Sequence, residues 1–162
     1  MRRLLALLLV GTAACAPPPH PLTHTADSPE ALGRAVIDRL AARDTEGLRQ
    51  LMLTRDEFER HVWPHLPASR PGTNMPMTFV WNRLQQQSQG HLAQVVARHG
   101  GQPLTFVSIA TRGESSEYGG VRVDRESTVT VRTAAGDVEE VKLFGSMVRQ
   151  GSRFKVFSYV TE

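Results

Sequence analysis

The hydrophobic period of this chain changes once, at Gly100-Gly101-Gln102-Pro103, and that change limits its fold more than any other feature. Before it, apolar residues recur at helical spacing. After it, they alternate in the period of two that belongs to strands. Short polar turns separate the alternating runs, so the strands pair as hairpins and predict an antiparallel meander. The expectation is an α+β domain in which N-terminal helices pack on a curved, four-stranded antiparallel sheet. Apolar content of 40 % is ordinary for a globular core.

The helical half carries its own punctuation. Ser28-Pro29-Glu30 combines a capping hydroxyl, a proline at the first helical position and an acid near the positive helix end. Leu32, Val36 and Leu40 recur every four residues with Ala35 beside them, and this helix ends near Arg43. Asp44 caps a short second helix with Leu48, Leu51 and Met52. Thr54-Arg55-Asp56-Glu57 has capping-box spacing and opens a third, with Phe58 and Val62. Pro64 disfavours a helical residue before it, which stops that helix near Trp63. A loop, PHLPASRPGTN, leads to a long helix over 76–99, with Asn74 as a candidate cap. Val80, Leu84, Leu92, Val95 and Val96 mark its buried side, and Gly100-Gly101 ends it. Gly90 lies inside it, at a cost of about 1 kcal/mol relative to Ala.

Strands are expected over 104–110, 121–133, 138–148 and 153–160, and the polar, Gly-rich string RGESSEYGG reads as an exposed hairpin loop. Val121, Val123, Val129 and Val131 share one side of the second strand. The last two strands are apolar on both faces. Val141, Leu143 and Met147 oppose Phe144 and Val148, while Phe154 and Val156 oppose Phe157 and Tyr159. A sheet with one wet face alternates more cleanly. Either helices cover one face and a second copy of the chain the other, giving a homodimer, or the sheet curls over its own core.

The N-terminal string MRRLLALLLVGTAAC has a positive start at Arg2 and Arg3, a short apolar run from Leu4 to Val10, and small residues before Cys15. The run is far shorter than the ~20 residues needed to span a bilayer. The segment resembles a bacterial lipoprotein signal, in which the cysteine becomes the lipidated first residue. Thr12 stands where such signals usually carry Leu. Conventional cleavage after Ala14 or Ala16 is the alternative. The resemblance implies a signal at 1–14, a membrane anchor on Cys15 and a place in the cell envelope, at the periplasmic face or outer membrane where the host has two. Residues 15–27 include APPPHPLTHTAD, a stiff, extended tether whose His20 and His24 read as solvated, and 28–162 form the domain. Cys15 is the only cysteine, so no intramolecular disulfide supports the fold. Removing Arg2 and Arg3 lowers the formal charge from +3 to +1, and no basic run marks a nucleic-acid surface.

Helices followed by a curved meander, with Ala42-Arg43-Asp44-Thr45-Glu46-Gly47-Leu48-Arg49-Gln50-Leu51 near the start and Gln150-Gly151-Ser152-Arg153-Phe154-Lys155-Val156 at the last strand, resemble the NTF2-like, cone-shaped fold over roughly residues 28–162. The chain departs from that pattern in having no clear early strand before the long helix. A cystatin-like arrangement is the alternative. The NTF2-like resemblance implies either a small cofactor-independent enzyme, such as an isomerase or cyclase, or a binding module, so the fold alone does not choose.

An enzyme of that type needs a carboxylate base inside the cone and a hydroxyl donor. Asp124 with Tyr118 or Tyr159 is the candidate set. Against it, Arg122, Asp124, Glu126, Thr128, Thr130 and Arg132 read as a solvent-facing ladder of cross-strand pairs. Trp63, Phe79 and Trp81, with Met77, are candidates for a pocket mouth or for core packing. Glu57, His61 and His65 recur every four residues, but Pro64 interrupts them, and they read as a solvated helix end rather than a metal site. No phosphate loop, nucleophile elbow or Cys–His pair is present and no cofactor is implied. The expectation is a membrane-anchored, non-catalytic domain that binds a small apolar ligand or an envelope protein.

Overall fold

Ser28 caps the first helix as its sequence implies. Its hydroxyl accepts from the Ala31 amide at 3.0 Å, and α1 runs over Pro29–Ala41. Asp44 likewise caps α2 (Thr45–Gln50) through the Gly47 amide at 2.8 Å. The capping box of α3 (Arg55–Glu57) is closed in both directions, Thr54 Oγ1 accepting from the Glu57 amide and Glu57 Oε2 from the Thr54 amide. Beyond it the helix widens into a π-turn over Phe58–Val62 and tightens at Trp63–His65, where Pro64 ends the run. The long helix α4 spans Met77–His99 and buries Trp81, Ser88, Leu92 and Val95. Pro76, not Asn74, is its N-cap, and no side chain caps it. Gly90 faces open space.

The computed structural model describes residues 20–160, so the expected signal at 1–14 and Cys15 lie outside the described residues. The packed unit begins at Leu22 rather than at residue 28. Leu22 is buried, and Ala26 pairs antiparallel with Phe154 on the edge of the last strand. Of the expected tether at 15–27, only residues 20–27 lie within the described residues. From Leu22 onward it is a strap held by apolar burial and a sheet edge that needs a hydrogen-bonding partner.

Seven strands, not four, form two antiparallel sheets among the described residues. They are β1 (Thr105–Thr111), β2 (Ser115–Tyr118), β3 (Val121–Arg125), β4 (Ser127–Arg132), β5 (Val138–Val141), β6 (Ser146–Gln150) and β7 (Arg153–Ser158). One sheet has the order β1-β4-β5, the other β2-β3-β6-β7. The single strand expected over 121–133 breaks at Glu126, which takes a positive φ of 55°. That corner sends β3 into one sheet and β4 into the other. The Ser127 amide donates to Gly145 O, and the Gly145 amide to Ser158 O, which stitches the corner together. The strand expected over 138–148 divides in the same way. The string read as an exposed loop, RGESSEYGG, contains β2, paired with β3 from Ser115↔Asp124 to Tyr118↔Val121.

Two apolar clusters result. The larger joins α1, α2 and the C-terminal half of α4 to Val129, Val131, Leu143, Phe144, Met147, Val156 and Tyr159. The smaller joins Leu22, Leu53, Phe58, Val62 and Trp81 to Val121, Val123 and Val148. The four valines expected on one side are thus divided between two cores by the corner at Glu126. The last two strands are apolar on both faces because the chain itself covers both, Met147 and Val156 facing the larger cluster and Val148 and Phe157 the smaller, whereas β3 carries Arg122 and Asp124 on the face turned away from Val123. The early strand that the sequence does not announce exists as one bridge. Met52 pairs parallel with Val156, with the Leu53 amide on Val156 O at 2.8 Å.

Candidate ligand-binding site

On the side of the second sheet that faces α3 and α4, the packing leaves a cavity of about 290 Å³. This lies near the lower end of the ~300–1,000 Å³ typical of small-molecule sites. Phe58, Val62 and Leu66 form one wall, Val80 and Leu84 of α4 a second, and Val123 and Phe157 the floor. The sequence explains why these residues meet. Phe58 and Val62 lie four apart on one helical face, as do Val80 and Leu84, and each pair lands opposite the sheet. The polar lining comes from Tyr118, Arg125, Ser146 and Ser158. Arg125↔Ser146 and Ser146↔Ser158 are cross-strand partners, so three of these four form one polar rung across β3, β6 and β7.

A buried ion pair fixes the helical wall. Lys155 is 0 % exposed and Glu57 is 5 % exposed, with Lys155 Nζ at 2.8 Å from Glu57 Oε2 and 3.1 Å from Oε1. Glu57 also accepts from the Thr23 amide at 2.7 Å, the Thr23 hydroxyl at 3.0 Å and the Thr54 amide at 2.8 Å. One carboxylate thereby ties together the strap, the start of α3 and the last strand. Burial alone would push the Glu57 carboxyl up. The donors from Lys155, Thr23 and Thr54, with the ammonium charge, bring it below its ordinary value. Burial holds the Lys155 ammonium below its usual range, and Glu57 restores only part of the difference.

Glu57 is therefore not on a solvated helix end. His61 is buried with Nε2 unpartnered among the described residues, and His65 lies against Gly119, whose positive φ of 60° turns the chain from β2 to β3. The described residues hold no group of three or more His, Cys, Asp or Glu placed to hold a metal ion.

The residues named as catalytic candidates are not brought to one place. Asp124 occupies the opposite sheet face from Tyr118. It accepts from Arg122 Nε at 2.7 Å and the Ser115 hydroxyl at 2.6 Å, and Arg149 Nε stands at 3.6 Å. Its side chain is only 14 % exposed, and the expected ladder holds only at Arg122 and Asp124, because the corner at Glu126 sends Thr128, Thr130 and Arg132 into the other sheet. Tyr159 is buried in the larger cluster, donating its hydroxyl to Leu48 O at 2.9 Å. Burial raises its phenol well above the ordinary value. Tyr118 alone reaches the cavity.

None of Trp63, Phe79 and Trp81 lines the cavity. Trp81 packs behind its wall, with its ring centroid 5.3 Å from that of Phe58. Trp63 packs against the smaller cluster. Phe79 is 56 % exposed in a neighbouring groove that shares Val80 and Leu84 with the cavity. Phe79 shares the long helix with Val80 and Leu84 but faces the groove beside the cavity. Position 79 lies one residue, or ~100° of rotation, from position 80. Compared with known proteins, the chain matches no family model, no curated protein and no solved structure.

Proposed function

We propose that this chain is an envelope lipoprotein whose domain binds a small apolar ligand without transforming it. The observation that carries the reading is the cavity of about 290 Å³, walled by seven apolar side chains and lined by no carboxylate. An acid–base enzyme would need a base where the ligand sits, and the nearest candidate, Asp124, is on the other face of the sheet and held by two arginines. An NTF2-like arrangement is part of the proposal. It is supported by the order of helices before strands, by the strand that passes from one sheet to the other at Glu126, and by the bridge of Met52 to Val156 beside the last strand.

The pocket is tested with an environment-sensitive apolar dye, Nile red, on the full chain. Leu84→Trp fills the cavity from α4, where Leu84 is only half-buried and the larger ring has room toward the open side. Dye affinity is expected to fall about ten-fold or more with the circular dichroism spectrum unchanged. Equal affinity in the folded variant would reject the cavity as the site.

The anchor is tested separately. Cys15→Ser is expected to move the protein from the membrane pellet to the soluble fraction of its host. Unchanged membrane partitioning of that variant would refute lipidation at Cys15.

A further inference from the structure

We infer that the pocket selects an apolar molecule bearing one carboxylate, which the Arg125 guanidinium binds at the polar rung. This rests on the proposed pocket and names the class of ligand that fits it. The two ends of the cavity differ in chemistry. Phe58, Val62, Leu66, Val80 and Leu84 give the ligand nothing to hydrogen-bond with. The polar groups are confined to the sheet, where Arg125, Ser146 and Ser158 lie side by side and Tyr118 adjoins.

The charge of that end is one-sided. Arg122 and Arg149, on the opposite face of the same sheet, are both held by Asp124. Arg125 has no carboxylate within ion-pair distance among the described residues. Its guanidinium makes a contact with the Tyr118 hydroxyl at 3.5 Å, the outer limit of a hydrogen bond. A guanidinium has five N–H donors in a planar fork, so Arg125 keeps enough free to take both oxygens of a carboxylate. No side chain among the described residues engages the hydroxyls of Ser146 or Ser158, which stay available to the same anion. Arg125 is exposed on its outer side, so the apolar walls strengthen the attraction only on the side of the guanidinium that faces the cavity. A neutral apolar ligand would fill the walls and leave this end unused. A second charge would have to be desolvated against Phe and Val side chains with no partner. The chemistry that uses both ends is a compact aliphatic or aromatic monocarboxylate.

The experiment compares decanoate with decanol by titration calorimetry. It uses the full chain carrying Cys15→Ser, so that no anchor acyl chain competes for the pocket. Decanoate is expected to bind about ten-fold or more tighter than decanol, the scale of a charge-assisted hydrogen bond. Arg125→Gln is expected to erase that preference, decanoate falling to the affinity of decanol. Because Arg125 is an exposed side chain, the variant keeps the fold. Equal affinity for the two ligands in the parent chain, or a preference that survives Arg125→Gln, would overturn the inference while leaving the apolar pocket standing. Binding of neither ligand would remove the pocket reading itself and the carboxylate with it.

Discussion

Replacing Lys155 by Met is expected to lower the unfolding free energy by about 3–5 kcal/mol, because it leaves the Glu57 carboxylate buried without its cation. Domains of this kind are stable by only about 5–15 kcal/mol in total, so the urea midpoint should drop by a large fraction. The pair Glu57→Gln with Lys155→Met should recover part of the loss. Gln keeps one acceptor oxygen, enough for the Thr23 or the Thr54 amide but not both, and carries no charge to strand, so the recovery is partial. If the double variant were as unstable as Lys155→Met alone, the cost would lie in packing and not in the unpaired charge. The same pair sets an acid limit. Glu57 has a folded pKa below its unfolded value, so its contribution is full above the unfolded pKa of about 4.3. It is lost as pH falls through the depressed folded value. Acid unfolding of the parent chain should therefore steepen below pH ~4, and the double variant should lose that step.

Phe58→Ala should cost a further ~3–5 kcal/mol, the range for deleting a large side chain from a core. Phe58 is 2 % exposed and packs its ring against Trp81, so the deletion empties the smaller cluster and widens the ligand cavity at once. Phe144→Ala is the informative comparison. Phe144 is 0 % exposed in the larger cluster and touches no wall of the cavity. Both variants should lose comparable stability by urea titration. Phe58→Ala alone should change Nile red affinity among molecules that remain folded. Equal effects of the two substitutions on dye binding would mean that the dye reports stability and not the pocket.

The helical half of the fold is written in local chemistry. Ser28, Asp44 and the Thr54–Glu57 box each cap the helix that they precede, because a cap needs only residues within three positions of one another. The corner at Glu126 is different. Glu is a poor residue for positive φ, and no Gly or Asn flags the position. The long alternating run 121–133 therefore reads as one strand, and the second sheet goes unseen. β2 is hidden for a related reason. Ser115 to Tyr118 has little apolar content and becomes a strand through pairing with β3, a tertiary effect. The strap illustrates the same limit from the other side. Its composition is that of a tether, yet Leu22 and the Thr23 amide have partners far away in the chain.

The site was legible in part for the same physical reasons. The apolar stripe of Val80 and Leu84 on the long helix and the two-sided last strands were readable, and they form two of the cavity's surfaces. The large aromatics are the most conspicuous residues of the sequence here, but Trp81 supports the wall from behind and Phe79 turns outward. Glu57 was visible as a capping residue and Lys155 as one cation between apolar neighbours. Nothing in the sequence joins positions so far apart, so their buried pairing emerges only in the folded chain. Arg125 was indistinguishable from the other strand arginines until the pairing of β3 with β6 placed it beside Ser146.

The central claim, that the apolar cavity holds a small molecule, is met most directly by native mass spectrometry of the full chain purified from a native-like host. The expected result is a folded protein carrying one small-molecule adduct beyond the mass of the chain and its anchor, and loss of that adduct in Leu84→Trp. A bare wild-type mass under conditions gentle enough to keep the fold, or an adduct that survives unchanged in Leu84→Trp, would contradict it.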